Sequence, residues 1–277
     1  MRWRKIKQAS VWWLLPLFVL TLMLTGCGQH IATKDVMQQV AESNEITWGV
    51  KGDMRLFGLT DIKSGQVKGF EVDLATAISK EVFGKEVKIN FVPVNSNTRL
   101  PLLRSGNVDA LIATMTITPD RKKEIDFSNS YFNAGQAILV KRGSKVKSVK
   151  NLTQGTKVIG IQGSNSVVNI KKYAPQSEVL QLADAAQAFA ALKSGQGDAM
   201  TTDNGILYGL TSDDKSYHVV GGTFTKEPYG IGVNKHQKKF LSAINQALKK
   251  LEDNGDYQKL VDKWFGQIAG FDGSVVK

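Results

Sequence analysis

Hydrophobic and polar positions along the chain fall into two alternating rhythms. Ile46-Thr47-Trp48-Gly49-Val50 is a short extended run, and Lys68-Gly69 then precedes Phe70, Leu74, Ile78 and Val82. That spacing of four places the apolar residues on one helical stripe. Val87, Ile89 and Phe91 alternate with polar neighbours, as the residues of a half-buried strand do. Towards the other end, Phe240, Ile244, Leu248 and Leu251 make a second stripe, and Asn254-Gly255 is a helix stop. Strands alternating with helices predict an α/β protein with parallel sheets. Residues 27–45 are polar for the most part and read as a tether, with room for a short helix.

The first residues follow a different pattern. Arg2, Arg4, Lys5 and Lys7 carry the only charges ahead of an apolar run from Val11 to Leu24, interrupted by Pro16 and Thr21. A basic start followed by a short apolar run is the layout of a secretory signal, and a membrane-spanning helix needs about 20 apolar residues. The run ends in Leu24-Thr25-Gly26-Cys27. Cys27 is the only cysteine, so no internal disulfide can form. An uncleaved membrane anchor with an incidental cysteine is the plainer alternative to a processed leader over residues 1–26.

Charge adds one bound. The chain has 36 Lys and Arg against 25 Asp and Glu, a net +11. Loss of residues 1–26 would bring this to about +7 (11 − 4). No dense basic tract interleaved with aromatics is present, and export argues against nucleic acid as partner. Attraction to an anionic surface, or capture of anionic solutes, fits the remaining excess better. About 250 residues then remain, enough for two lobes.

An internal echo supports that division. Leu103-Arg104-Ser105-Gly106-Asn107-Val108-Asp109-Ala110 resembles Leu192-Lys193-Ser194-Gly195-Gln196-Gly197-Asp198-Ala199. Each reads as a helix end, a glycine stop and a new strand. Five residues beyond the aspartates stand Thr114 and Asp203, at strand ends, where open α/β sheets place ligands. Two common helix–Gly–strand units could also coincide by chance.

Candidate chemistry gathers in Ala113-Thr114-Met115-Thr116-Ile117-Thr118-Pro119-Asp120-Arg121. Thr118-Pro119 has the form of a helix start, with threonine as cap and proline first. Arg121 then falls in the first turn, against the helix dipole unless it serves an anion there. A guanidinium suits a carboxylate, and a carboxylate such as Asp203 suits an ammonium.

These segments are similar to family 3 of the bacterial extracellular solute-binding proteins. The match runs through Gly69-Phe70-Glu71-Val72-Asp73-Leu74-Ala75, Asn107 to Ala113, Thr116 to Lys123, Asp126-Phe127-Ser128, Tyr131-Phe132 and Pro228-Tyr229-Gly230-Ile231. Leu24-Thr25-Gly26-Cys27 likewise resembles a lipoprotein lipobox, which implies a diacylglycerol on Cys27 and a lipid-anchored protein on the outer face of the cytoplasmic membrane. The resemblance implies a two-lobe type II periplasmic-binding fold with a cleft between lobes. Lobe 1 would span 46–134 and resume over 229–277, and lobe 2 would span 135–228, with hinges near Ala137–Lys141 and Pro228–Val233.

It also implies site roles. Arg121 would clamp an α-carboxylate with help from Thr116, and Asp203 would receive the α-ammonium. Thr114 and Ala113 would offer backbone groups, with the Ala113 carbonyl towards the ammonium. Ser164 and Asn165 would close over the ligand from lobe 2. Arg99 would meet a distal carboxylate or carboxamide, and Arg55 and Phe57 lie in a loop that packs over the ligand in relatives, with Phe57 equally readable as plain core. The implied ligand is glutamine, glutamate, asparagine or aspartate, the implied partners an ABC permease and its ATPase, with no cofactor or metal and a monomeric receptor. An amino-acid-sensing surface receptor is the alternative, and a dehydratase-type enzyme a more distant one. His30, His218 and His236 fall in polar sequence, and no P-loop or Gly-x-Ser-x-Gly elbow occurs.

Overall fold

A computed structural model of the chain describes residues 35–212, 214–268 and 271. Cys27 and the leader lie outside the described residues. Helix α1 (Val36–Ser43) comes first, with the Asp35 side chain accepting from the Met37 and Gln38 N–H groups. Strand β1 (Glu45–Lys51) leads into a small flap of β2 (Asp53–Met54), β3 (Gly58–Thr60) and β4 (Val67–Lys68). Next come α2 (Phe70–Phe83), β5 (Lys88–Val94), α3 (Arg99–Arg104), β6 (Ala110–Ile112), α4 (Pro119–Glu124) and β7 (Asp126–Ala134). The second half holds β8 (Gln136–Lys141), β9 (Lys157–Ile161), α5 (Asn165–Tyr173), β10 (Glu178–Leu182), α6 (Ala185–Lys193), β11 (Ala199–Asp203), α7 (Asn204–Thr211) and β12 (Tyr217–Val220). Strand β13 (Glu227–Val233) and helices α8 (Lys238–Asp253) and α9 (Asp256–Phe265) complete the described chain.

Two five-stranded sheets organise these elements, in the orders β5-β1-β6-β13-β7 and β10-β9-β11-β8-β12. Neither is parallel throughout, in contrast to the expectation from the alternating elements. In the first sheet β1 runs parallel to β5 and β6, but β13 is antiparallel to both its neighbours. In the second, β9 runs parallel to β10 and β11, but β8 is antiparallel to β11 and β12. The cause is the route between sheets. The chain passes through Gly135 from β7 to β8, and through residues 221–226 from β12 to β13, without the crossover helix that parallel entry requires. The segments 137–141 and 228–233 are thus strands in their own right, and each change of sheet lies just before them.

The sequence echo has a structural counterpart. The Asp109 N–H donates to the Thr47 carbonyl, and Asp109 Oδ2 accepts from the Thr47 N–H, both at 2.8 Å. Asp198 makes the same reciprocal pair with Lys157, also at 2.8 Å. Each aspartate therefore locks the third strand of its sheet to the start of the second. This fixes where β6 and β11 run out.

Packing follows the stripes read from sequence. Helix α2 buries Phe70, Leu74, Ala75 and Ile78, and α8 buries Phe240, Ile244, Ala247, Leu248 and Leu251. Gly69 lets the flap settle on the start of α2, since a Cβ there would stand 2.0 Å from the Phe57 carbonyl oxygen. The end of the expected tether is α1 itself. Its Val36 and Val40, one turn apart, are buried, and the Val36 N–H donates to Gln237 Oε1 at 3.0 Å.

Candidate functional site

The polypeptide beyond β6 turns back on itself at Thr114, whose φ of 45° is in the left-handed region. For a β-branched residue that conformation costs about 1–3 kcal/mol. Buried Glu71 holds it there, with Oε1 accepting from the Thr114 N–H at 2.6 Å and from the Tyr131 hydroxyl at 2.5 Å. Thr116 then bridges to Tyr229, and the Ile117 N–H donates to the Pro228 carbonyl at 2.8 Å. Thr118 caps α4 by accepting from the Arg121 N–H, with Pro119 in the first turn. From that turn Arg121 folds back, and its Nη1 donates to the Thr116 carbonyl at 2.8 Å.

The second lobe presents Asp203 at the end of β11. Its Oδ1 accepts from Gln136 Nε2 at 2.6 Å and its Oδ2 from the Tyr229 hydroxyl at 2.5 Å. Ser164 caps α5, donating to the Ile161 carbonyl at 2.7 Å and accepting from the Ser166 N–H. Asn165 and Asn169 reach from α5 to the two oxygens of buried Glu227, at 2.8 and 2.6 Å. The lobes stand closed on each other. The Ala185 N–H of α6 donates to Asp53 Oδ2 at 3.2 Å, and a Cβ on Gly163 would meet Asn97 Oδ1 at 2.2 Å.

Between them is a narrow cavity of about 10 Å³. Arg99, Thr114, Thr116 and Arg121 line it from one lobe, and Ser164, Asn165 and Asp203 from the other. Seven of the expected site residues are thus gathered at one place. Three are not. Phe57 is fully buried in an aromatic cluster, with ring centroids 5.2 Å from Phe132 and 5.9 Å from Tyr229. An unsubstituted ring gains more from that apolar packing than from a polar cleft. Arg55 lines a separate groove between the lobes, beside Phe189 and Lys193. The Ala113 carbonyl accepts from Arg99 Nη1 at 2.8 Å, and Ala113 is itself buried and absent from the cavity wall.

Sequence reasoning missed Gln136, Glu227, Tyr229 and Glu71. Tyr229 lay within a motif already noted, and Glu71 within the stripe of α2, where a lone acid between Phe70 and Val72 was the available signal. Burial pushes Asp203 up to about 7, against the lowering effects of Tyr229, Gln136 and Arg121. Burial likewise pushes Glu71 up to about 7, and holds Arg99 down to about 9. Arg121 is also lowered by burial, partly offset by Asp203 and Glu227. A guanidinium and a carboxylate facing one small cavity from opposite lobes are complementary to a zwitterion.

Known proteins share this sequence and fold. The pattern of bacterial extracellular solute-binding proteins, family 3, matches residues 46–267. The ABC transporter glutamine-binding protein GlnH of Bacillus subtilis is 47% identical over 259 residues, which cover 91% of this chain and 94% of the relative. The glutamine-binding protein of Geobacillus stearothermophilus is 41% identical, covering 86% of this chain and 99% of its own length. Among solved structures, an ancestral arginine-binding protein bound to glutamine superposes with a TM-score of 0.75 at 40% identity, over 81% of this chain and 99% of that one.

The two raised carboxylates set a pH dependence. A carboxyl whose folded pKa exceeds its unfolded value stabilises the fold below the unfolded pKa, and that contribution is lost as pH rises through the folded pKa. Between pH 6 and 8, Asp203 and Glu71 each withdraw about 1.4 kcal/mol. The melting temperature of the protein without added amino acid should fall by roughly 5 °C over that interval. Asp203→Asn should flatten the slope by about half. Calorimetric melting at the two pH values checks this, and a melting temperature that rises with pH refutes it.

Proposed function

The chain belongs to family 3 of the bacterial extracellular solute-binding proteins, and from that premise we propose that it captures glutamine outside the cytoplasmic membrane and delivers it to an ABC permease. The observation that carries the reading is the meeting of Arg121 and Asp203 across one closed cleft. Arg121 takes the α-carboxylate together with Thr116, and Asp203 takes the α-ammonium. Ser164 and Asn165 cover the ligand from lobe 2, and Arg99 offers its remaining donors to the side-chain end. The glutamine-binding relatives, 47% and 41% identical over most of the chain, support the choice of side chain.

Closure gives the receptor its signal. A ligand that engages both lobes binds the closed form more tightly than the open one, and so shifts the population towards it. The monomeric closed form docks on the permease, and the ATPase supplies the energy. Capture without turnover is the whole role of the chain in this reading.

The anchor is part of the same proposal. Cys27 carries a diacylglycerol after cleavage of residues 1–26, and further acyl chains make attachment durable. Metabolic labelling with a fatty acid should mark the wild type and leave Cys27→Ser unlabelled; a labelled serine variant excludes Cys27 as the attachment point.

Titration calorimetry tests the binding reading. Glutamine should bind the wild type, and Arg121→Ala should weaken it by at least about thirtyfold, the cost of leaving a buried charge unpaired. The variant's melting curve should remain cooperative. Unchanged affinity in a folded Arg121→Ala protein contradicts the assignment.

A further inference from the structure

Behind the Arg121–Asp203 pair, lobe 1 holds four more ionisable groups that holding a zwitterion does not use. Lys51 ends β1 and is wholly buried, with its Nζ 3.1 Å from Asp53 Oδ1. Arg99 is 2% exposed, lines the cleft and donates to the Ala113 carbonyl. Glu71 is wholly buried, and its Oε2 accepts no hydrogen bond among the described residues. Asp53 connects this set to lobe 2 through the Ala185 N–H.

The four groups act on each other. The Lys51 pKa is lowered by burial, raised by Asp53 and Glu71, and lowered by Arg99. Burial dominates at Glu71 as well, with Lys51 and Arg99 acting against it. Glu71 is faced by Lys51 from β1, Arg99 from α3, Tyr131 from β7 and Tyr229 from β13. Above pH 7, with Glu71 ionised, two cations and two anions balance. Arg99 is the member of this set that reaches the cleft wall, and the other three act on it from behind.

We propose that Asp53 and Glu71 are specificity-determining residues: by neutralising Lys51 and Arg99 they make the cleft take an uncharged carboxamide side chain in preference to a carboxylate. The inference rests on the reading of the cleft as an amino-acid site. A carboxylate brought into a buried site costs several kcal/mol of desolvation unless a free counter-charge meets it. Here Lys51 already has Asp53 at 3.1 Å, and the field of Glu71 acts on Arg99. A carboxamide needs only hydrogen bonds, and the guanidinium of Arg99, which spends one donor on Ala113, has others in its fork.

Titration calorimetry with glutamine and glutamate on the wild type, Asp53→Asn and Glu71→Gln tests this. At pH 8 each variant should lower the ratio of glutamine to glutamate affinity by about tenfold, the order of effect of removing one nearby buried charge at an effective dielectric near 20. In the wild type the ratio should also fall between pH 8 and pH 6 as Glu71 takes up a proton, and Glu71→Gln should abolish that pH dependence. Protonation of Asp203 weakens both ligands alike and cancels in the ratio. If both variants keep the wild-type ratio while the two affinities drop in parallel, Asp53 and Glu71 serve only the fold and the inference is overturned. If the wild type binds neither amino acid, the amino-acid reading itself fails, which is a distinguishable result.

Discussion

A carboxylate buried where two sheets meet has to be answered by donors from both. Asp203 is that group, and its partners are Gln136 on β8 and Tyr229 on β13. An ionised carboxyl without them would cost several kcal/mol. Both partners lie on the strands that have just crossed between lobes. The antiparallel insertions in the two sheets are therefore the same elements that hold the site carboxylate. Tyr229 carries the constraint further, since its ring stacks on Phe132 at 5.6 Å and meets Phe57 edge-on. Asp203 in the second lobe is in this way fixed against the aromatic core of the first.

The same logic explains why closure needs several bonds and not one. Asp53 to Ala185, Asn165 and Asn169 to Glu227, and Tyr229 to Asp203 each span elements of the two halves. Each is modest alone, about 1 kcal/mol net for a neutral pair and more where a charge is involved. Together they define a closed geometry to which a ligand can add its own contacts. The strained Thr114 backbone, held by Glu71, fixes the floor against which that geometry closes.

Much of this was legible in the residues. The stripes of α2 and α8 come from i, i+4 spacing, which survives any tertiary context. The repeat around Asp109 and Asp198 was readable because both aspartates do one local job, tying a strand to its neighbour. Arg121 could be placed because Thr118-Pro119 fixes the helix start three residues earlier. Strand direction was not legible, since the route between sheets depends on two short connections with no periodicity of their own. Nor were Gln136 and Glu227, whose roles exist only once β8 and β13 lie side by side with β11 and α5. Phe57 and Arg55 show the limit at its plainest. They lie two residues apart in one loop, yet one entered the aromatic core and the other a groove outside the cleft.

In the proposed complex Asp203 gives up its proton to meet an ammonium. With its pKa raised to about 7 by burial, about half of the protein carries that proton at pH 7. Calorimetry of glutamine binding in buffers of different ionisation heat measures the protons exchanged. Release of about half a proton per ligand is expected at pH 7, shrinking towards zero by about pH 8.5. Binding with no linked proton at pH 7, or with proton uptake, would contradict it.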